Sequence, residues 1–490
     1  MEKGKRFGQV FTPEYLVKDI LDFAGYVPDD DILEKHVIDN SCGEGAFLAE
    51  VVRRYAEAHF RKHGAGKGKK TLARQLGTFV HGIEIDRGSH AACLQRLDAL
   101  ADELGLAAVG WDVRNADAMA VDAYDGKMDF VVGNPPYVRV HNLGGDFSRV
   151  KGHAFCGGGM TDLYLVFYEI GLHMLSRNGR LCYIAPSSWM NSVAGRGMRE
   201  HLRRMGRLCA IADLRHFQPF SATAYTAIVR LENSGGADSF TYCTYEKPGA
   251  MRFIGELRYD DAFFDDALFL GTRDVLAELQ AVKSSVVPSS VEVKNGFATL
   301  ADDVFISDDL PFSGLTIPVV KASTGKWRKA FHPYDGAGRP LPREAVFANP
   351  QVAAYLEANK ALLLKGRREA TCPNWFLYGR TQALKDVGRR KYAVNTVIRD
   401  VGSIKFNVAP EGTGVYGGLY VMSELPESQI RQALLNDDFI RYVSALGKYK
   451  SGGYYTFNSK ELKQYLDYRL KDIRTATSRK ALRQQVLPLD

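Results

Sequence analysis

The stretch Val37-Ile-Asp-Asn-Ser-Cys-Gly-Glu-Gly-Ala-Phe-Leu, residues 37–48, passes from a β-branched run to an apolar helix start across two close glycines. An α/β sheet opens a nucleotide-sized crevice in this way: a strand ends, glycines let the backbone approach a ligand, and a helix begins. The Gly-x-Gly fragment alone reads equally as a tight turn. Working outward, residues 36–40, 79–86, 128–133, 180–185 and 208–214 are further short apolar runs that read as buried strands. Between two of them, Leu163, Val166, Phe167, Ile170, Met174 and Leu175 repeat with helical spacing and form one apolar face. Strand–helix alternation over residues 36–233 predicts an α/β fold with an open, largely parallel sheet.

The pattern changes after Asn233-Ser-Gly-Gly-Ala. The reading is a first domain over residues 1–235, a connecting region over 236–290, and an α+β domain over 291–490. A hydrophobic content of 46% with 25% charged residues excludes a disordered or collagen-like chain. No run of about 18 apolar residues occurs, so no transmembrane helix and no membrane partner are expected. The charged start Met1-Glu-Lys-Gly-Lys-Arg has no apolar stretch behind it, which argues against a secretory signal. Cysteines 42, 93, 156, 182, 209, 243 and 372 are scattered without a CxxC pair, so no metal site or disulfide framework is expected and a reducing cytoplasm fits.

A second site stands about 40 residues on, where Gly82-Ile-Glu-Ile-Asp puts Glu84 at a strand end. Such an acid can hold both hydroxyls of a ribose, although a solvated strand-end carboxylate has the same signature. Together the two sites point to an adenosine-containing cofactor without saying which. Asp129-Phe-Val-Val-Gly-Asn-Pro-Pro-Tyr, residues 129–137, narrows the chemistry. Two prolines stiffen the turn and remove backbone donors. The Asn134 side-chain oxygen and the Pro135 carbonyl remain as acceptors beside the flat ring of Tyr137. That set suits a planar group carrying an exocyclic NH₂. Accepting both of its hydrogens favours a more tetrahedral nitrogen and aims its lone pair, which is catalysis by positioning and electrostatics.

With these residues in place the chain resembles the gamma-class adenine-N6 DNA methyltransferases of restriction–modification systems, whose order is cofactor motifs, Asn-Pro-Pro-Tyr, then target recognition domain. The resemblance implies a Rossmann-like S-adenosylmethionine-dependent methyltransferase domain followed by an α+β target recognition domain. It implies S-adenosyl-L-methionine as cofactor, held by Phe11, Thr12 and Pro13, by the loop with Asp39, Ser41, Gly43 and Gly45, by Glu84 at the ribose, by Asp117 and Ala118 at the adenine, and by Asn134. It assigns catalysis to Asn134, Pro135, Pro136 and Tyr137. The target base is flipped from the duplex, since its N6 is otherwise inaccessible. The flipped adenine is held between Tyr137 and a second aromatic, for which Phe220 is the choice and Tyr225 the rival. The glycine-rich stretch 144–159 reads either as a closing loop or as ordinary surface.

The segments 294–305, 375–382 and 452–457 resemble parts of recognition domains in this group. The whole chain carries 64 Lys and Arg against 57 Asp and Glu, a net +7. Residues 365–405 alone hold ten Lys and Arg against three acids. Interleaved with Trp375, Phe376, Tyr378 and Tyr392, they read as a surface for double-stranded DNA. Arg380 is expected to be a base or groove contact, and Arg389, Arg390 and Lys391 to be phosphate contacts. The resemblance further implies a bacterial or archaeal cytoplasmic enzyme with a separate cognate restriction endonuclease, and no nuclease region is recognised. Two other readings stand beside it: an Asn-Pro-Pro-Tyr enzyme acting on RNA or a protein glutamine, and a modification subunit that needs a specificity partner.

Overall fold

The computed structural model describes residues 11–28, 31–139, 150, 152–156, 161–220, 224–286, 291–365 and 374–471. Residues 7–10 of the amino-terminal motif, most of the glycine-rich stretch 144–159, residues 221–223, and residues 366–373 of the basic window lie outside them. The chain divides into two compact units, Met1–Ala277 and Glu278–Asp490.

The first unit is built on a nine-stranded sheet. Its strands are β1 (Val37–Asp39), β2 (Val80–Glu84), β3 (Asp112–Asn115), β4 (Met128–Gly133), β5 (Leu175–Pro186), β6 (Leu208–Asp213), β7 (Thr226–Glu232), β8 (Ser239–Tyr245) and β9 (Met251–Arg258). Their spatial order is β3-β2-β1-β4-β5-β7-β6-β8-β9. The pairings β3–β2, β2–β1, β1–β4 and β4–β5 are parallel, whereas β7 lies antiparallel to both β5 and β6. Strands β1 and β2 are buried throughout, as continuous apolar runs covered on both faces should be. The chain order reverses on either side of β1, which makes the carboxyl edge there the topological switch point where open α/β sheets bind ligands.

Helices hold that edge in place. Helix α1 (Glu14–Ala24) follows Pro13 and buries Leu16, Val17, Ile20, Leu21 and Ala24 on one face. It stops at Gly25, whose φ of 78° is the left-handed conformation that suits glycine. Helix α2 (Ala46–His63) sends the buried Arg54 back to the end of α1, donating to the Tyr26 and Lys18 carbonyls and pairing with Asp22. Charge-assisted hydrogen bonds thereby tie α2 to the body of α1 and to the turn that leaves it. Helix α3 (Leu163–Met174) runs straight into β5.

The connecting region expected over 236–290 is corrected by the structure. Residues 239–258 form β8 and β9 of the same sheet, and the first unit continues to Ala277. Exposed Arg252, Phe253 and Glu256 break the apolar pattern of β9 at the sheet margin. The second unit is α+β. A four-stranded antiparallel sheet joins 292–295, 419–422, 391–394 and 406–409, and a three-stranded one joins 326–331, 316–321 and 414–416. Short helices, including Arg343–Phe347 and Pro350–Ala358, surround them.

Candidate active site

The predicted motif residues of the first unit converge on one cavity of about 200 Å³. Phe11, Thr12, Asp39, Ser41, Gly43, Glu84, Asp117, Ala118, Asn134 and Pro136 line it. Asp39 ends β1, Glu84 ends β2, Asp117 follows β3 and Asn134 follows β4, so parallel strand ends bring these groups together, and Thr12, ahead of α1, joins them from 122 residues before Asn134. Pro13 and Gly45 stand behind the wall as the residues that start α1 and α2. Gly45 has a φ of 78°, and a Cβ there would come within 2.7 Å of the Cys93 sulfur. Pro135 is buried beside Asn134.

The turn after β1 is fixed by hydrogen bonds from both sides. The Ser41 amide donates to Asp39 Oδ1 at 3.0 Å, and the Cys42 amide donates to the Ile83 carbonyl at 3.0 Å. Glu84 accepts the Gly43 amide at 2.9 Å and the Asp86 amide at 2.7 Å, one on each carboxylate oxygen. It is therefore a buried, oriented acid rather than a solvated one. Burial raises its carboxyl above the usual range, opposed by those two amides. Asp39 is only 1% exposed, and burial pushes its carboxyl up to about 7 against the Ser41 amide, with a further push from the nearby Glu84 charge. Two acids beside a cavity, one held partly protonated by burial, suit a ligand with cationic and hydroxyl groups. The Ser41 hydroxyl is buried with no hydrogen-bond partner among the described residues, as expected of a group that completes its bonding with a ligand. Asp117 caps a turn of 3₁₀ helix by accepting the Met119 amide at 3.0 Å.

Two predicted motifs meet directly. The Asn134 side-chain amide donates to Thr12 Oγ1 at 3.0 Å, which makes Oδ1 its acceptor end. Gly133, the last residue of β4, must be glycine, because a Cβ there would lie 2.7 Å from Asp39 Oδ1. The half-buried Tyr137 donates its hydroxyl to the Ile184 carbonyl at 3.2 Å. Its ring meets that of Phe220 edge to face, with centroids 6.3 Å apart and planes at 78°. Tyr225 instead packs against His216. Of the two candidate partners, Phe220 is the one beside Tyr137.

Sequence reading missed several groups in the cavity wall. Asn40 lies in it, its side-chain oxygen accepting from the Tyr183 hydroxyl at 2.8 Å. Ile85 is 51% exposed there, and its signal was an apolar residue set between two acids. Leu163 and Phe167 of α3 also line it, although their helical spacing was read only as core.

The second unit departs further from expectation. Lys391 is only 1% exposed, and its ammonium donates to the carbonyls of Asp386, Arg389 and Val387 at 2.6, 2.7 and 3.3 Å. Burial lowers it to about 8. Its donors are taken up inside the fold, so the phosphate-contact expectation for Lys391 is corrected. Arg389 is exposed but pairs with Glu292 at 3.1 Å and Asp386 at 3.6 Å, and Arg390 pairs with Glu427 at 3.0 Å. Trp375, Phe376, Tyr378 and Tyr392 are all at most 5% exposed and belong to the interior rather than to a base-contacting surface. Arg380 is exposed, its backbone joined to Ala298 by two hydrogen bonds of 3.0 and 3.2 Å. That bridge unites two of the three segments read as recognition-domain phrases.

Comparison with known proteins agrees with the fold. Residues 95–221 match the family model described as Eco57I restriction-modification methylase. Type II methyltransferase M.PaeR7I of Pseudomonas aeruginosa is 28% identical over 413 residues, covering 75% of this chain and 70% of that protein. Type II methyltransferase M.XhoI of Xanthomonas vasicola is 32% identical over 236 residues, covering 46% of this chain and 42% of that protein. This chain resembles the methyltransferases of restriction–modification systems. Its first unit has a Rossmann-like α/β fold on a mostly parallel sheet. The structure of the type IIL restriction-modification enzyme MmeI in complex with DNA matches 91% of this chain and 63% of that one, with a TM-score of 0.61 at 16% identity, a likeness of fold. The chain thus spans less than two thirds of MmeI and less than half of M.XhoI. Among the described residues no helix is long and apolar enough to cross a membrane, and no cluster of three metal-ligating side chains occurs.

Proposed function

We propose that this chain transfers a methyl group from S-adenosylmethionine to the N6 amine of an adenine flipped out of double-stranded DNA. The observation that carries the reading is the Asn134–Thr12 hydrogen bond, which ties the Asn-Pro-Pro-Tyr turn to the wall of the cavity that also holds Asp39, Glu84 and Asp117. When bound, the cofactor supplies a methyl group activated by a sulfonium. Glu84 would face its ribose hydroxyls, Asp117 its adenine amine, and Asp39 and Ser41 its amino-acid end. The chain's own part is to position the amine. Asn134 Oδ1 and the Pro135 carbonyl accept its two hydrogens, Tyr137 and Phe220 offer stacking faces, and the surplus proton leaves to water after the N–C bond forms. No strong base is required, because the work is orientation and stabilisation of developing charge. The second unit is proposed to hold the duplex.

The test is a methyl-transfer assay with labelled S-adenosylmethionine, offering duplex DNA, RNA and protein to the isolated chain, followed by nucleoside analysis. N6-methyladenine in duplex DNA is expected. Label found only in RNA or in protein glutamine, or activity that appears only with a specificity partner, would replace this reading with one of its two rivals.

A further inference from the structure

The edge strand Lys326–Phe331 of the second unit carries Lys326-Trp327-Arg328-Lys329, four residues that are all exposed. It lies at the margin of its three-stranded sheet, paired along its length with residues 316–321 and bridged on its other side at Ala330 by Ile306. Among the described residues, none of its three cations lies within ion-pair distance of a carboxylate, in contrast to Arg389, Arg390 and Arg399. The register puts Lys326 directly opposite Lys321, whose ammonium lies 5.7 Å over the Tyr416 ring. Like charges facing each other across an antiparallel pair are destabilising. Asp308 and Asp309 follow Ser307, whose amide donates to the Lys329 carbonyl at 3.0 Å, and neither is ion-paired with the strand among the described residues. Trp327 stands opposite Val320 with 45% of its surface exposed.

Lysines also guard edge strands against aggregation. A guard has no use for an exposed indole, and it gains nothing from a second lysine placed opposite the first. We infer that this edge strand is the surface with which the second unit grips the phosphate backbone of duplex DNA, the inference resting on the function proposed above. The dimensions fit. Lys326 to Lys329 span about 10 Å of extended chain, a length over which one strand of a duplex carries about three charges at 3.4 Å each. Side chains alternate between the two faces, so Lys326 and Arg328 share one face about 7 Å apart while Trp327 and Lys329 share the other, and a backbone running along this edge meets cations from both faces. Trp327 lies among them as a flat apolar face for a sugar or base edge.

The experiment compares wild type with a variant carrying Lys326→Gln, Arg328→Gln and Lys329→Gln, and with Trp327→Ala alone. Each is titrated with a duplex of arbitrary sequence at several salt concentrations. The triple variant is expected to lose affinity and to lower the log–log salt slope by about one for each contact removed, up to about three. Trp327→Ala is expected to weaken binding without changing the slope. S-adenosylmethionine binding, measured by calorimetry, is expected to be the same in all three proteins. Wild-type slope and affinity in the triple variant would overturn the inference while the proposed function stands. So would a variant that only aggregates, or one that loses affinity for duplex RNA and keeps it for duplex DNA. Wild type that binds cofactor but no duplex would overturn the proposed function itself.

Discussion

Two regions invited a functional reading from sequence, and they behave differently in the structure. At the carboxyl edge of the first unit, four short motifs spread from Thr12 to Asn134 come together around one cavity. In the second unit, the densest run of positive charge, Arg389-Arg390-Lys391, is spent on Glu292, Glu427 and the carbonyls of its own turn. Each motif of the first region consists of a strand, a turn and a chemically specific side chain. Parallel pairing then fixes where those side chains meet. A count of charges in a window carries no such geometry. It cannot tell a cation that faces solvent from one recruited to satisfy a buried carbonyl, and it overlooked Lys326-Trp327-Arg328-Lys329 because four residues scarcely change a net charge.

The largest expected effect tests the first region. Asn134→Ala removes one of two acceptors for the target amine and the donor to Thr12. Loss of one preorganised partner of developing charge costs on the order of 100- to 1,000-fold in rate. Single-turnover methylation at saturating cofactor should show it, with the cofactor dissociation constant changed only a few fold. A rate near that of wild type would mean that this edge is not the reaction centre.

Legibility followed the same division. Strands β1, β2, β4, β5 and β6 were readable because burial on both faces demands continuous apolar runs. Strand β9 was not, since Arg252, Phe253 and Glu256 are exposed at the margin and interrupt the pattern. Most of the named cavity residues were legible, because glycine, proline and strand-end acids are each placed for a stated physical reason. The wall supplied by Ile85, Leu163 and Phe167 was not, since an apolar side chain reads alike whether it faces a core or a ligand. Trp375 and Tyr378 were misassigned for the converse reason: aromatics beside basic residues suit a binding face, yet these pack among Phe297, Phe347 and Phe376.

The comparison sharpens at Lys391. If its ammonium serves the fold, Lys391→Ala leaves buried carbonyls unsatisfied and should cost about 1–3 kcal/mol of stability. Denaturant unfolding should record this, while the salt slope of DNA binding stays at the wild-type value. A slope reduced by about one at unchanged stability would restore the residue to the DNA-facing surface.

Asp39 offers a smaller effect with a definite sign. Its folded carboxyl titrates at about 7 because it is buried. The folded state therefore holds this proton more tightly than the unfolded chain, and stability falls as pH rises from the ordinary carboxylate range towards 7. A cationic ligand at the same carboxylate reverses the preference, since it favours the charged form. Calorimetric titrations should show S-adenosylmethionine binding weaken as pH falls below about 7, approaching tenfold per pH unit. Asp39→Asn should bind more weakly at pH 8 and lose that pH dependence. A dependence that persists in Asp39→Asn would assign the titration to another group, with Glu84 the nearest candidate.

The smallest effect is expected where sequence reading placed the phosphate grip. Arg389 and Arg390 sit on the surface with side chains about half exposed, and each already faces a carboxylate. Exposed pairs of this kind contribute about 0–1 kcal/mol each, because water screens the attraction and two long side chains must be ordered. Releasing either arginine to a phosphate would exchange one screened ion pair for another, with Glu292 still held by Lys294 and Glu427 by Arg431. The double variant Arg389→Ala, Arg390→Ala should therefore keep its salt slope within a few tenths of wild type and unfold within about 1–2 kcal/mol of it. Loss of two units of slope in this variant, with none in the variant of residues 326, 328 and 329, would reverse the comparison. The grip would then return to the segment that the count of charges had selected.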